Sequence, residues 1–437
     1  MSAPWLRFRG ALAALPPADR RRLLERPVLD DPAVTGAVAA ILERVRREGD
    51  AALRALSREH DGVEPAALEV PRAALEAARA RLEPAVRDAL ERAARNVAAA
   101  ARAALPRPVS LETEPGVTVG FRPDPLPRAG VYAPGGRAAY PSSVLMGVVP
   151  ARVAGVGEVV VCSPPGRDGL PSGVVLAAAA IAGADRVFAA GGAGAIGALA
   201  FGTASVPRVD VVVGPGNAWV AAAKRAVAAE GRVRIDSPAG PSEVLVVADA
   251  TAAPRRVALE LVAQAEHDPR AAVVAVAVGE PAARAIEAAL AAAAADAARG
   301  EVVRASLAAA GGVLWASGLD EALAFASEAA PEHLLLAVAD PEAAFARVRG
   351  AGATFLGLSS SVAFGDYLAG GNHVLPTGAF ARLASGLSVN DFLRVSQWTR
   401  VTPAGARRLA GAVAALAAAE GLPGHAAAAL AAAEEAR

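Results

Sequence analysis

The feature that most constrains the fold is an alternation of short, apolar, β-rich runs with longer helical runs. Between Gly130 and Asp236 the β-rich runs are GVYAPGG, EVVVCSPP, RVFAAGG, RVDVVVGPG and RVRID. The rhythm resumes after Pro241 with EVLVVAD, AAVVAVAVG, GVLWASG, HLLLAVAD and ATFLG. Such alternation is typical of a parallel sheet covered by helices on both faces. We therefore predict two Rossmann-like, doubly wound α/β lobes that repeat an architecture but not a sequence.

The segments that flank the two lobes have different patterns. Arg and Glu are spaced between Ala, Leu and Val from Asp30 to Leu105, which predicts helices, and residues 107–124 alternate in a way that predicts short strands. We expect the following divisions: an N-terminal arm at 1–29, a helical segment at 30–128 that packs with the second lobe, a first lobe at 129–240, a second lobe at 241–380, and a small helical C-terminal tail at 381–437.

Composition excludes several classes of partner. Lys plus Arg and Asp plus Glu both number 44, so the net charge is zero and no field attracts nucleic acid or an anionic membrane. The 54% apolar fraction is largely Ala, and no run reaches the roughly 18 apolar residues of a membrane span. No secretory signal is evident. The single cysteine, Cys162, excludes an intrachain disulfide and predicts a reducing, cytoplasmic location.

A stretch from Ile235 to Pro269 combines a loop, a strand and a helix that carries two polar side chains. The helix is predicted to begin near Pro254 and to end before Pro269, with Gln264 and His267 on one face at a spacing of i, i+3. One interpretation is that the imidazole caps free carbonyl groups at the helix end. The other is a metal site, since imidazole nitrogen with amide oxygen suits zinc.

The chain contains five histidines, and four of them lie in polar islands within apolar surroundings. The islands are Gln264/His267, Glu332/His333, Asp366/Asn372/His373 and Glu420/His425. Taken singly, Asp366 is also typical of a turn, and His425 of a position beside a helix N-cap. Glu332 and His333, after Pro331, are also typical of an exposed strand start. It is their clustering that favours a functional site.

Together these islands resemble the histidinol dehydrogenase family, whose members catalyse the last step of histidine biosynthesis. The resemblance extends from about Arg122 to His425. Its most specific piece is IDSPAGPSEVLVVAD with the trailing QAEH, supported by VYAPGG, YPSSVLM, GPGNAWV, APEHL, GDYLAGGNHVLPTG and the GLPGH tail.

The resemblance implies a role for individual residues. Glu332 and His333 match the acid/base pair: His333 takes the alcohol proton as hydride leaves, and Glu332 activates the water that attacks the aldehyde. Because adjacent residues of an extended backbone point apart, we expect these two on different faces of one pocket. The zinc ligands, for one zinc ion per subunit, match Gln264, His267, Asp366 and His425. The substrate-binding positions match Ser242, Gln264, His267, His333, Asp366, His373, Glu420 and His425.

The nucleotide site is less evident from motifs. The spacing G-x-G-x-x-G occurs only in GGAGAIG at 191–197, after the third strand of its lobe, and is weak evidence. The sequence GPGN opens a helix, where backbone N–H groups can receive an anion. The family's NAD-binding positions match Tyr132, Gly194 and Asn217. At Gly194 the family has Gln, so we expect weaker cofactor binding, by about 1 kcal/mol for a lost hydrogen bond.

The resemblance implies an NAD-dependent, zinc-containing enzyme that oxidises L-histidinol through L-histidinaldehyde to L-histidine. It also implies a homodimer in which the tail crosses to the partner subunit. Within each chain, it implies that the first lobe binds the nucleotide and that the second lobe carries zinc and the catalytic residues. Two alternatives remain open. One is a related dehydrogenase acting on another small alcohol, and the other is a catalytically silent metal-binding or ligand-binding protein.

Overall fold

The computed structural model describes residues 5–26, 32–135, 139–237 and 240–434. The N-terminal elements are β1 (Phe8–Ala11), α1 (Pro17–Leu24), α2 (Pro32–Glu48), α3 (Asp50–His60), α4 (Arg72–Arg81), α5 (Pro84–Ala103), β2 (Val109–Glu114) and β3 (Val117–Pro125). The first lobe contains β4 (Arg128–Tyr132), α6 (Pro141–Ala154), β5 (Glu158–Ser163), α7 (Gly173–Ala182), β6 (Arg186–Ala189), α8 (Gly192–Phe201), β7 (Val211–Val213), α9 (Ala218–Ala229) and β8 (Arg234–Ile235).

The second lobe contains β9 (Glu243–Ala248), α10 (Pro254–Ala265), β10 (Ala272–Val278), α11 (Glu280–Ala295), α12 (Gly300–Ala310), β11 (Gly311–Ala316), α13 (Leu319–Ala329), β12 (His333–Ala337), α14 (Pro341–Arg347), β13 (Ala353–Leu356) and α15 (Val362–Tyr367). The tail contains β14 (Leu393–Val401), α16 (Pro403–Ala419) and α17 (Pro423–Glu434). Short 3-10 turns lie at Leu12–Ala14, Phe380–Arg382 and Val389–Phe392.

The two predicted lobes are confirmed, and both have the same topology. The first sheet has the order β6-β5-β4-β7-β8 and the second contains the order β11-β10-β9-β12-β13, with all pairs parallel. In each sheet the third, second and first strands of the lobe are followed by the fourth and fifth. The direction in which successive strands are added to the sheet therefore reverses between the first and fourth strands, and such sheets bind ligands at this switch point.

The first lobe buries both faces of its sheet because its strands are apolar along most of their length. Ala129 and Val131 of β4 face one core layer, which α6 and α7 complete. Tyr132 of β4 and Cys162 of β5 face the opposite layer, which α8 and α9 complete. Cys162 is fully buried, and burial raises the pKa of its thiol to about 12, so it packs as a small apolar side chain.

The expectation that residues 30–128 pack with the second lobe is wrong. Helix α2 places Val38, Leu42 and Val45 against α8 and α9, and α4 and α5 pack against α7 and α6 of the first lobe. An amphipathic helix reveals that it has an apolar face but not which surface covers that face. It is the N-terminal arm that joins the second lobe, because β1 adds a parallel edge strand next to β11.

A third, antiparallel sheet joins the tail to the rest of the chain. Strand β3 lies between β2 and β14, so the predicted short strands before residue 128 pair with the tail of the same chain. Beyond β14, α16 and α17 pack on each other, and no side chain described in α17 is buried. Leu416 is 68% exposed and Leu430 is 46% exposed, so the tail helices present apolar surface to solvent in a single chain.

Candidate active site

Glu332 and His333 lie at the amino end of β12 and are buried, with 6% and 3% of their surfaces exposed. Helix α13 ends at Ala329, its C-cap Ala330 adopts the left-handed region at φ 44°, and Pro331 then leads into Glu332. The expectation that the two side chains point apart is wrong. Because Glu332 precedes the strand, its Oε2 lies 3.5 Å from His333 Nδ1. The pair forms one buried unit, and the alternative of an exposed strand start is excluded.

The main chain of Glu243 at the start of the neighbouring strand β9 holds both side chains. Its N–H donates to Glu332 Oε2 at 2.7 Å, and its carbonyl oxygen lies 3.0 Å from His333 Nδ1. A carbonyl oxygen only accepts, so Nδ1 of His333 carries a hydrogen. The reactive lone pair of the neutral ring is therefore on Nε2, which is buried and has no hydrogen-bond partner among the described residues.

His333 Nε2 faces Asp366 of α15, with 3.3 Å between Nε2 and Oδ1 but without hydrogen-bond geometry. Burial alone would lower the pKa of His333, but the carboxylates of Glu332 and Asp366 raise the pKa to about 10. Burial raises the pKa of Glu332, while His333 opposes that shift. Burial also acts to raise the pKa of Asp366, but His333, His373 and His267 together lower it below its ordinary value. These two carboxylates therefore make the imidazole of His333 a stronger base than that of an exposed histidine.

Three of the four predicted zinc ligands lie in the second lobe. Gln264 is buried at the end of α10, and His267 lies in the turn after this helix, which ends at Ala265. His267 is close enough to Asp366 for its charge to lower the pKa of that carboxyl. Among the described residues, no three His, Cys, Asp or Glu side chains are grouped to hold a metal ion. Of the predicted zinc ligands in the lobes of one chain, only His267 and Asp366 belong to these four residue types, because the third ligand is Gln264.

His425, the fourth predicted ligand, and Glu420 are both exposed on the tail. Glu420 follows α16, and His425 lies in the first turn of α17. The position of His425 agrees with the prediction that it lies beside a helix N-cap. Ser242 is half-buried directly before β9, and its carbonyl accepts the N–H of Ala272. Only Ser242 of these three is therefore fixed beside the Glu332–His333 pair, through its neighbour Glu243.

His373 links this site to the first lobe through a residue that the sequence analysis missed. Its Nδ1 lies 2.8 Å from the carbonyl oxygen of Asp366, and its Nε2 lies 3.2 Å from the hydroxyl of Ser143 in α6. Burial lowers the pKa of His373. Asn372 also donates to the carbonyl of Met146 in α6. The motif YPSSVLM drew attention to this helix, but nothing in it distinguishes Ser143 from its neighbour.

The carboxyl edge of the first sheet therefore lies beside the amino edge of the second. Tyr132 ends β4 at the switch point of the first lobe, and its buried hydroxyl accepts the N–H of Gly192 at the start of α8. Burial raises the pKa of Tyr132 to about 12. Gly214 follows β7 at φ 114°, and an added Cβ would lie 2.1 Å from the Tyr132 carbonyl oxygen. Only glycine fits at Gly214.

The other two predicted NAD positions differ from what the sequence suggested. Asn217 is the N-cap of α9, and its Oδ1 accepts the N–H groups of Trp219 and Val220, so these two donors are not free for an anion. Gly194 lies within α8, and an added Cβ would lie 2.8 Å from Leu56 of α3. A side chain at Gly194 therefore points into the contact between α8 and α3, and the expectation that a Gln there would restore a cofactor contact lacks support.

Comparison with known proteins identifies relatives over most of the chain. The family profile described as histidinol dehydrogenase matches residues 24–432. The chain is 51% identical over 418 residues to histidinol dehydrogenase of Halobacterium salinarum, covering 95% of this chain and 97% of that protein. It is 45% identical over 404 residues to the enzyme of Methanothermobacter thermautotrophicus, covering 92% and 94%. The crystal structure of histidinol dehydrogenase from Elizabethkingia anophelis superimposes with a TM-score of 0.93 at 31% identity, covering 99% and 98%. No helix in the described ranges is long and apolar enough to cross a membrane.

Proposed function

The chain belongs to the histidinol dehydrogenase family, the oxidoreductases of the final step of histidine biosynthesis, and from this premise we propose how its residues divide the reaction. The observation that carries the proposal is the buried Glu332–His333 unit at the junction of the two lobes. L-histidinol is oxidised through L-histidinaldehyde to L-histidine, so one site must remove two hydrides and accept one water. The two residues suit these two demands differently.

His333 takes the proton of the substrate alcohol in the first step. Its Nδ1–H is fixed by the Glu243 carbonyl, so Nε2 is the only ring nitrogen that can receive a proton, and it has no other hydrogen-bond partner in the described chain. Loss of the proton from the hydroxyl accompanies loss of hydride from the same carbon. A base at this position contributes about 10²- to 10⁴-fold to the rate.

Glu332 activates the water that adds to the aldehyde in the second step. Burial raises the pKa of its carboxyl, which makes it a stronger base than an exposed glutamate. The N–H of Glu243 fixes Oε2, so Oε1 is the oxygen that remains for water. The hydrated aldehyde then loses the second hydride and becomes the carboxylate.

Gln264, His267 and Asp366 would hold a zinc ion, which supplies positive charge that grips the imidazole and amine of the substrate. The chemistry of the donor set fits this group, because it combines amide oxygen, imidazole nitrogen and carboxylate oxygen. Gln264 is only 4% exposed, so an ion that it holds would be largely shielded from solvent. Dialysis against a chelator should abolish turnover and added zinc should restore it, whereas full activity of a verified metal-free sample would contradict this role.

NAD, which accepts the hydride when bound, would lie along the carboxyl edge of the first sheet. Tyr132 and Gly214 mark the switch point of this sheet, and Asn217 keeps its amide N–H groups available while its oxygen caps α9. The glycine at 214 allows a ligand to approach the backbone. As a dehydrogenase of amino-acid biosynthesis with its one thiol buried and reduced, the protein would work in the cytoplasm.

The active site would be shared between two copies of the chain in a homodimer. Glu420 and His425 are exposed on a tail whose apolar surface is uncovered, and Phe364 and Tyr367 beside Asp366 are 60% and 56% exposed. A partner's tail that covers this rim would bury both surfaces and bring a fourth ligand to Gln264, His267 and Asp366. Two-fold symmetry would then build two equivalent sites.

Mixing two defective variants tests the shared site. His333→Asn and His425→Ala chains should each be nearly inactive alone. If pairing on co-refolding is random, about half of the dimers contain one chain of each kind, and each of these has one intact site, so roughly one quarter of wild-type activity should return. If a sample shown to contain mixed dimers recovers no activity, each tail serves its own lobes and the shared site is refuted.

The division of the reaction is tested by following NADH formation with histidinol as substrate. The wild-type protein should form two NADH per histidinol, and His333→Asn should lose about 10²- to 10⁴-fold in rate, the usual size of an acid/base contribution. Asn keeps the polar volume without a titratable nitrogen. A near-normal rate for His333→Asn would remove this residue from the mechanism.

A further inference from the structure

The N-terminal arm reaches the catalytic unit through one arginine. Arg26 follows α1 and lies half-buried against Glu243, with Nε to Oε1 at 2.8 Å and Nη2 to Oε2 at 3.0 Å. Two parallel bonds of this kind form the bidentate fork that fixes both groups in one plane. Side-chain exposure is only 15% for Arg26 and 6% for Glu243, so solvent weakens this pair little.

Every polar atom of Glu243 is engaged, and most of them hold the catalytic segment. Its N–H and carbonyl hold Glu332 and His333 as described above. Its Oε2 also accepts the N–H of Glu332 at 3.3 Å, and its Oε1 accepts the N–H of Gly378 at 2.9 Å. A rotation of the Glu243 peptide would therefore displace both catalytic side chains. It would also remove the carbonyl oxygen that keeps the hydrogen of His333 on Nδ1.

Arg26 also holds the strained turn that leads into the catalytic pair. Its Nη2 donates to the carbonyl of Ala329 at 2.8 Å, at the end of α13. The next residue, Ala330, is in the left-handed region that alanine adopts at a cost of about 1–2 kcal/mol. Such a conformation persists only where the surroundings determine it. Arg26 is thus bonded to both segments, β9 and the end of α13, from which the site is built.

We propose that Arg26 and Glu243 are a positioning pair for the oxidation: the N-terminal arm, through this fork, fixes the peptide that orients Glu332 and His333. This inference rests on the proposed roles of Glu332 and His333. Neither Arg26 nor the carboxylate of Glu243 touches the reacting atoms. Arg26 lies outside both lobes in sequence, yet it makes the arm a part of the active site.

The expected signature is a loss of kcat without a loss of substrate binding. Arg26→Ala should lower kcat by about 10- to 100-fold, the usual cost of removing a residue that orients a functional group, while the KM values for histidinol and NAD stay near those of the wild type. Arg26→Lys should recover little, because a compact ammonium group cannot form the fork. Glu243→Gln should lower kcat similarly, because it places an NH₂ group against the guanidinium.

Chemical rescue distinguishes positioning from a general structural role. A cavity of about 410 Å³ borders Arg26, Glu243 and Thr377, so the space left by Arg26→Ala is open to a small cation. Guanidinium at millimolar concentration should restore part of the kcat of Arg26→Ala but not that of Glu243→Gln or His333→Asn. The matched control is Arg20→Ala, which removes an exposed ion pair with Glu328 between the same arm and the same lobe. This control should keep wild-type kcat.

The outcomes separate the inference from the function it rests on. If Arg26→Ala retains wild-type kcat, or loses kcat that guanidinium does not restore, the positioning pair is refuted. If Glu332→Gln and His333→Asn turn over histidinol normally, the proposed roles of Glu332 and His333 fail, whatever Arg26→Ala does. Thermal unfolding of each variant shows whether the arm is still folded, and guanidinium rescue remains informative if Arg26→Ala is destabilised.

Discussion

Replacing Lys224 with Met should destabilise the first lobe through a single buried charge. Lys224 of α9 forms an ion pair with Asp236 and donates to the carbonyl of Gly214 at 2.9 Å, and Asp236 accepts the N–H of Gly214 at 2.8 Å. The two side chains are 6% and 2% exposed. They close the loop that follows β7, which is the predicted NAD-binding loop. Lys224→Met leaves the carboxylate of Asp236 buried without its counter-charge.

The cost can be bounded from this geometry. Removing one partner of a buried pair costs about 3–5 kcal/mol, whereas replacing both partners costs less because no charge stays unpaired. Lys224→Met should therefore lower the free energy of unfolding by about 3–5 kcal/mol, and Lys224→Met with Asp236→Asn should recover at least about 1 kcal/mol of that loss. Arg128→Met, which removes the exposed pair with Glu158, is the control and should cost at most about 1 kcal/mol.

The pH dependence gives this prediction a sign. Burial already raises the pKa of Asp236, and without Lys224 the folded chain should hold a proton there that the unfolded chain releases. A raised acid pKa means that stability is gained as pH falls from the folded pKa to the unfolded pKa of about 4, by up to about 1.4 kcal/mol per unit, and no further below it. Urea unfolding at several pH values measures this. Additive losses in the double variant, or a loss in Lys224→Met that does not shrink on acidification, would refute the reasoning.

Two further predictions concern the lobe interface and the cofactor edge. Gly194→Gln should lower the free energy of unfolding by about 1–3 kcal/mol through overpacking against Leu56, and it should not lower the KM for NAD. Gly173→Gln serves as the control, because an added Cβ there meets nothing within 4 Å. A lower KM for NAD at unchanged stability would contradict the packing argument. Ser143→Ala should remove the hydroxyl contact of His373 and cost about 1 kcal/mol of histidinol binding, seen as a higher KM at similar kcat, and an unchanged KM would show that His373 needs no anchor in α6.

Periodicity predicted the lobes because each strand and helix carries its own pattern. It could not predict that α2 to α5 pack on the first lobe, because their apolar faces fit either lobe. The side-by-side arrangement of Glu332 and His333 depends on the left-handed Ala330, an alanine that no local rule places there. Arg26 and Glu243 are 217 residues apart, so only the tertiary structure shows their contact.

The proposed metal ligands show the same limit. Gln264, His267 and Asp366 were predicted through resemblance, and the structure explains why spacing alone was insufficient: they belong to α10, the turn after it, and α15, which are joined only by tertiary packing. His425 is exposed on its own chain, so a single chain does not show which residues His425 contacts. A site assembled from several segments is predictable residue by residue only where each position matches a known motif.

The most direct test of the account is the number of NADH molecules that Glu332→Gln forms from each histidinol in a single turnover. The account predicts a first NADH at a near-normal rate, because His333 removes the alcohol proton. A second NADH should then be slowed by about 10²- to 10⁴-fold, because no carboxylate activates the water. Two NADH formed at wild-type rates would contradict the division of the reaction between these two residues, as would loss of the first NADH together with the second.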